Sequence, residues 1–124
     1  MSKLTIHLVL ALALVFAGAS AWAADMSKTA PALKVAMGSP AESHNNEGIE
    51  HYNQGHYDVA LKHFKGAVEA DPKSAEAHYN VALALDKTGD HKGATTHFKK
   101  AYDMGKGNPE IQNSAVLKAH LKIK

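Results

Sequence analysis

Residues 41–74 read AESHNNEGIEHYNQGHYDVALKHFKGAVEADPKS, and residues 75–108 read AEAHYNVALALDKTGDHKGATTHFKKAYDMGKGN. Laid over one another, these 34-residue stretches match at Ala41/Ala75, Glu42/Glu76, His44/His78, Asn46/Asn80, Gly55/Gly89, Ala60/Ala94, His63/His97, Phe64/Phe98, Lys65/Lys99 and Ala67/Ala101. The matches fall on small, aromatic and turn positions, where helix packing is decided. Repetition at this period marks a helical solenoid, whose units bury their apolar faces only against neighbouring units. Architectures of this kind normally bind other proteins rather than catalyse reactions.

Local signals divide the repeats into helices. Ser39-Pro40-Ala41-Glu42 places a capping Ser, a Pro at the first helical position and a Glu three residues after the Ser. That combination predicts a capping box opening a helix over about 40–54. Gly55 is expected to end it in the left-handed conformation. A second helix, about 57–70, stops before Asp71-Pro72, because Pro disfavours helix at the residue preceding it. Ser74 opens a third over 75–88, closed by Gly89, and Asp90 caps a fourth over 91–104, broken by Gly105-Lys106-Gly107. Asn108-Pro109-Glu110 repeats the cap-plus-Pro signal and opens a last helix over 109–122, read as a closing cap. Its expected inward face is Ile111, Ala115, Val116, Ala119 and Ile123, with Lys118, Lys122 and Lys124 outward. Apolar residues recur at helical spacing throughout. The third helix is apolar on most sides, which predicts a central position. The fold class is therefore all-α: a superhelical solenoid of two hairpins (repeats 41–74 and 75–108) and the capping helix 109–122, together a domain over 39–124. No cap precedes the first helix, so self-association through the helices 40–54 and 57–70, giving a homo-oligomer, is an expectation of the sequence.

The unit Gly48, Gly55, Tyr57, Ala60, Phe64, Ala67 and Asp71-Pro72 resembles a tetratricopeptide repeat, and Ala82, Leu85, Gly89, Ala94, Phe98 and Ala101 resemble the next. The resemblance spans about 41–122. His44 and His78 stand where the family usually has Trp, Glu47 where it usually has Leu, and the second unit lacks the terminal Pro. Small residues at Gly48, Ala60, Ala82 and Ala94 let paired helices approach closely, while Phe64 and Phe98 fill the gap between hairpins. The resemblance implies a concave groove, lined by the first helix of each pair, that holds a protein or peptide partner. On this chain the groove positions are Asn45, Ile49, Tyr52 and Asn53, then Tyr79, Asn80, Leu83, Asp86 and Lys87, then Asn113, Leu117 and His120. Asn can hydrogen-bond a peptide backbone, and Tyr offers rigid amphipathic area. Equally, Tyr79 and Leu83 could be core and the Asn residues merely solvated. The family's clamp for C-terminal carboxylates needs cations along the groove. The corresponding places hold Asn45, Ile49, Asn80, Glu110 and Ser114, of which only Asn80 matches, so a ligand without a demanding terminal charge is expected.

The first 23 residues read as a secretory signal peptide: Met1-Ser2-Lys3 is basic, Leu4–Gly18 almost wholly apolar, and Ala21-Trp22-Ala23 a small-residue cleavage site. The apolar stretch is shorter than the roughly 20 residues a spanning helix needs. A bacterial export product, periplasmic or secreted, without stable membrane insertion is the expectation. Cleavage of 23 residues from 124 leaves 101, room for one domain, with residues 24–38 expected as a flexible leader. Loss of Lys3 takes the net charge from +2 to +1, and all 14 basic residues are Lys. Without the bidentate fork of Arg, a nucleic-acid or phosphate-reading surface is disfavoured. Cysteine is absent, which removes disulfides, thiolate zinc sites, c-type haem attachment and thiol nucleophiles together.

Histidine is the compositional anomaly. Eight of the nine lie beyond the signal segment: His44, His51, His56, His63, His78, His91, His97 and His120. His44 and His51, seven apart on one helix face, make a bridging metal with a third ligand conceivable, and a histidine-rich periplasmic metal-binding protein on the same fold is the alternative function. His63 and His97 recur at equivalent positions expected to be exposed. No phosphate-binding glycine pattern and no strained Ser turn is present, so neither catalysis nor a cofactor is expected.

Overall fold

Turn and capping residues place six helices within residues 29–124, the part of the chain that the computed structural model describes. The expected signal peptide (1–23) and the first residues of the leader (24–28) lie outside the described residues. The helices are α1 (Glu42–Asn53), α2 (Tyr57–Ala70), α3 (Ala75–Thr88), α4 (His91–Met104), α5 (Pro109–Gln112) and α6 (Ala115–Leu121). Gly55 (φ 79°) and Gly89 (φ 94°) adopt the left-handed conformation that side chains resist, and each turns the chain into the next helix. Ser74 caps α3 by accepting the Ala77 N–H, and Asp90 caps α4 by accepting the Gly93 N–H.

Two terminal elements differ from expectation. α1 begins at Glu42 without a side-chain cap, so the capping box does not form. The chain first makes a tight turn, closed by Ser39 N–H donating to the Ala36 carbonyl at 3.1 Å, with Gly38 at φ 77°. Glu42 reaches back to the Gly38 N–H at 2.6 Å rather than to Ser39, whose hydroxyl is buried without a partner. At the other end, the helix expected over 109–122 is broken at Asn113–Ser114. Ser114 starts α6 afresh by accepting the Leu117 N–H, and its hydroxyl pairs with the Tyr79 hydroxyl at 2.8 Å. Gln112 donates to the Tyr102 and Gly105 carbonyls at 3.0 Å, tying the start of the closing segment to the end of α4. The break rotates the inward face. Ile111 and Leu117, six residues apart, are both fully buried, whereas Ala115 and Ala119 are exposed.

α1 packs on α2, α2 on α3, α3 on α4, and α4 on α6. The order makes α3 central: every residue from Ala75 to Leu85 except Glu76 is buried. Phe64 and Phe98 are completely buried at equivalent places in the two hairpins. The first hairpin closes on a missing side chain. A Cβ at Gly48 would lie 2.5 Å from Cδ1 and Cε1 of Phe64, so only glycine lets α1 settle against that ring. No helix among the described residues is long and apolar enough to cross a membrane.

The leader is not free along its whole length. Ala32–Lys124 forms one compact unit. Leu33 and Val35 are buried, while Lys34 between them is exposed, the alternation of an extended strand laid on a surface. Val35 joins Ala41, Ala67 and Ala77, with Val68 against them, in a small apolar cluster that ties this segment to α2 and α3.

Candidate functional site

Two carboxamides hold that extended segment by its main chain. Asn45 on α1 and Asn80 on α3 are both fully buried. The Asn80 Oδ1 accepts the Leu33 N–H at 2.7 Å, and the Asn80 Nδ2 donates to the Leu33 carbonyl at 2.7 Å. The second Nδ2 hydrogen goes to the Asn45 Oδ1 at 2.8 Å, and the Asn45 Nδ2 donates to the same Leu33 carbonyl at 2.9 Å. Asn offers two donors and an acceptor in one plane, so it matches the N–H and C=O of a single extended residue as a neighbouring strand would. Every polar atom in the network is paired, which is the condition for burying it at all. Between the first helices of the two hairpins, Leu33 is therefore held by hydrogen bonds to its backbone groups, while its side chain is buried.

The remaining groove positions divide in three. Tyr52, Tyr79, Leu83 and Leu117 belong to the core, each with 3 % of its surface exposed or less. Tyr52 stands edge-on to Tyr57 at 5.2 Å, and Tyr79 edge-on to Phe98 at 5.6 Å. Burial pushes both phenols above the usual tyrosine range, and for Tyr79 the bond to Ser114 partly offsets it. Tyr79 and Leu83 are core because α3 is covered from both sides, and Tyr52 because α1 packs its ring against Tyr57 and Phe64. Asn53, Lys87 and Asn113 are exposed, Ile49 is half-buried, and the Lys87 ammonium sits 5.7 Å from the centre of the Tyr57 ring. Asp86 and His120 meet: His120 Nε2 lies 2.9 Å from Asp86 Oδ1, and His91 Nδ1 lies 2.7 Å from the same oxygen. His91, read from sequence only as a helix start, is the member that sequence reasoning missed. Nothing in the spacing of 86, 91 and 120 announces the meeting.

The other histidines are used locally. His44 is exposed and packs against Gly66, where a Cβ would come 3.1 Å from its Nδ1. His51 stacks on His63 at 5.4 Å, and His63 Nδ1 pairs with Glu47 at 3.2 Å. His44 and His51 therefore face different neighbours and do not converge on a common third ligand. His97 is half-buried, not exposed as expected, because its ring stacks on the buried His78. His78 Nε2 donates to the Pro72 carbonyl at 2.8 Å, so its Nδ1 accepts the Nδ1–H of His97 at 3.1 Å. Burial, reinforced by the His78 ring, lowers the His97 pKa to about 4, so His97 is neutral at physiological pH.

A family profile described as tetratricopeptide repeat matches residues 45–109. That match covers both hairpins from Asn45 to the first residue of α5 and takes in both carboxamides. No curated protein matches the chain.

Proposed function

Because the chain belongs to the tetratricopeptide repeat family, whose repeats generally mediate protein–protein contacts, we propose that it is an exported interaction module that grips an extended segment of a partner protein by its main chain. The observation that carries the reading is the double bond from Asn80 to both backbone groups of Leu33. A cleft that accepts one extended residue this way is built to accept another. Ala32–Val35 is then the resident segment, and a partner strand enters by replacing it. The recognised segment places apolar side chains at alternate positions, as Leu33 and Val35 do, around one that faces solvent. Among the described residues, the hydrogen bonds of the Asn pair include no cationic side chain, which suits an internal stretch of chain rather than a terminal carboxylate.

Export rests on the order of residues 1–23, basic then apolar then small. Intact-mass measurement of the protein recovered from a bacterial periplasm is expected to give a chain beginning at Ala24. A product retaining Met1–Ala23 would remove this part of the reading.

The binding mode is tested with the chain's own segment supplied from outside. Leu33→Asp places a charge where the cleft is apolar and is expected to release the resident segment. A fluorescent peptide of sequence APALKVAM, residues 30–37, should then bind the variant at micromolar concentration and bind the unaltered protein far more weakly. Methylating the peptide's Leu33 amide nitrogen removes the hydrogen that Asn80 accepts. Affinity should drop several-fold, since a hydrogen bond of this kind contributes about 1 kcal/mol. A helical Leu33→Asp protein that ignores the peptide, or binds both peptides alike, would refute main-chain reading.

A further inference from the structure

We propose that Asp86, His91 and His120 form a binding site for a divalent transition-metal ion, a role that the protein-binding reading neither uses nor requires. Their ligand atoms all lie within 4.8 Å of one another, and among the described residues no other group of three His or acidic side chains converges in this way. The site is tertiary. Asp86 comes from the last turn of α3, His91 from the first residue of α4 and His120 from α6. A carboxylate with two imidazoles is the donor set that suits zinc, copper or nickel, while calcium and magnesium prefer all-oxygen sets.

Hydrogen-bond bookkeeping around His120 points the same way. The Thr95 hydroxyl lies 2.9 Å from the His91 carbonyl and 3.0 Å from His120 Nδ1. When that hydroxyl donates to the carbonyl, its oxygen accepts the His120 Nδ1–H, the tautomer that leaves Nε2 available to a metal. In that tautomer the Nε2 lone pair faces Asp86 Oδ1 from 2.9 Å. A metal ion bound by both takes the place of the proton that otherwise joins them. Metal-bound histidines are typically oriented in this manner, with the outward nitrogen donating to an oxygen that fixes the tautomer. The Phe98 ring, 5.0 Å from the His120 ring, limits its rotation from the other side.

The geometry accommodates an ion with little movement. Metal–nitrogen and metal–oxygen bonds of about 2.0–2.1 Å at tetrahedral angles hold donors roughly 3.3 Å apart. The donors here stand 2.7 and 2.9 Å apart along the two edges that meet at Asp86. Asp86 and His120 are fixed, with side chains 25 % and 15 % exposed, whereas His91 is 70 % exposed and free to swing outward. His91, the exposed member, marks the side from which a fourth donor can enter. Water, or a donor from a bound partner, completes the set there.

Zinc is the probe. Isothermal titration of the purified full chain, prepared without a histidine tag, is expected to show one zinc ion bound in the micromolar range. His91→Gln, a change at an exposed side chain, should weaken that binding by at least about tenfold, and Thr95→Val by about tenfold, through loss of the group that orients His120. His44→Gln should leave it unchanged, which separates this site from incidental binding by the other histidines. Long-range proton–nitrogen spectra should show zinc moving the His120 Nε2 and His91 Nδ1 resonances. The proposal is overturned if the unaltered chain binds zinc no more tightly than about 100 μM, a free energy of only about −5.5 kcal/mol. It is equally overturned if His91→Gln and Thr95→Val bind zinc as the parent does.

Discussion

Phe98→Ala is expected to destabilise the domain by about 3–5 kcal/mol, the range for removing a large buried ring. Phe98 has no exposed surface, and the space it fills is bounded by Tyr79 at 5.6 Å and His120 at 5.0 Å. Neither neighbour is free to collapse into the void, since the Tyr79 hydroxyl is held by Ser114 and the His120 ring by Thr95. Single domains of this size are stable by only about 5–15 kcal/mol. The variant should therefore melt more than about 10 °C lower by circular dichroism, given about 4–8 °C per kcal/mol for a small domain. Phe98→Leu, which keeps most of the volume, should lose far less. A loss below about 1 kcal/mol for Phe98→Ala would show that the second hairpin is not wedged on this ring.

The second large effect is expected from Asn80→Ala. Two groups lose their partner at once: the Leu33 N–H and the Asn45 Oδ1. The Leu33 carbonyl keeps the Asn45 amide. Each buried polar group left unpaired costs about 1–3 kcal/mol, so the total for two is roughly 2–6 kcal/mol. A cavity account and a hydrogen-bond account of this loss separate in Asn80→Asp, which preserves shape. It keeps an acceptor for Leu33 N–H but turns a second acceptor toward the Leu33 carbonyl and the Asn45 oxygen. The isosteric change should therefore be at least as damaging as the truncation. Chemical denaturation gives the magnitude, and hydrogen exchange gives the location, since the Leu33 amide should lose its protection in Asn80→Ala. Unchanged exchange at Leu33 would detach the segment from the carboxamide pair.

Much of the fold could be read in advance because its determinants are short-range. Gly55 and Gly89 end helices through their own backbone freedom, and Ser74, Asp90 and Asn108 cap amides two or three residues away. Phe64 and Phe98 repeat at the register that stacking demands. The misreadings share the opposite property. Ser39 has the composition of a capping box, but the chain turns there to lay Leu33 and Val35 on the helices, and α1 starts later. The last helix has continuous helical pattern, but Tyr79 claims Ser114, 35 residues away, and the break puts Leu117 in the core. For the cleft, the family resemblance named Asn45 and Asn80 among twelve positions, and these two bond to the chain's own backbone at Leu33. It could not give the occupant. Nor did it separate Tyr52, Tyr79, Leu83 and Leu117, which are core, from Asn53, Lys87 and Asn113, which face solvent.

The sequence by itself determined that there are two stacked hairpins, where their helices turn, and that α3 lies at the centre, because each of these follows from local backbone preference and the period of the apolar residues. Only the tertiary structure decided that Asn80 closes on Leu33, 47 residues earlier, and that Asp86 gathers His91 and His120. The physical reason is range. Propensities and caps act within a turn or two of the chain, whereas a hydrogen bond or a shared ligand needs atoms brought within about 3 Å, and that distance is set by how whole helices pack.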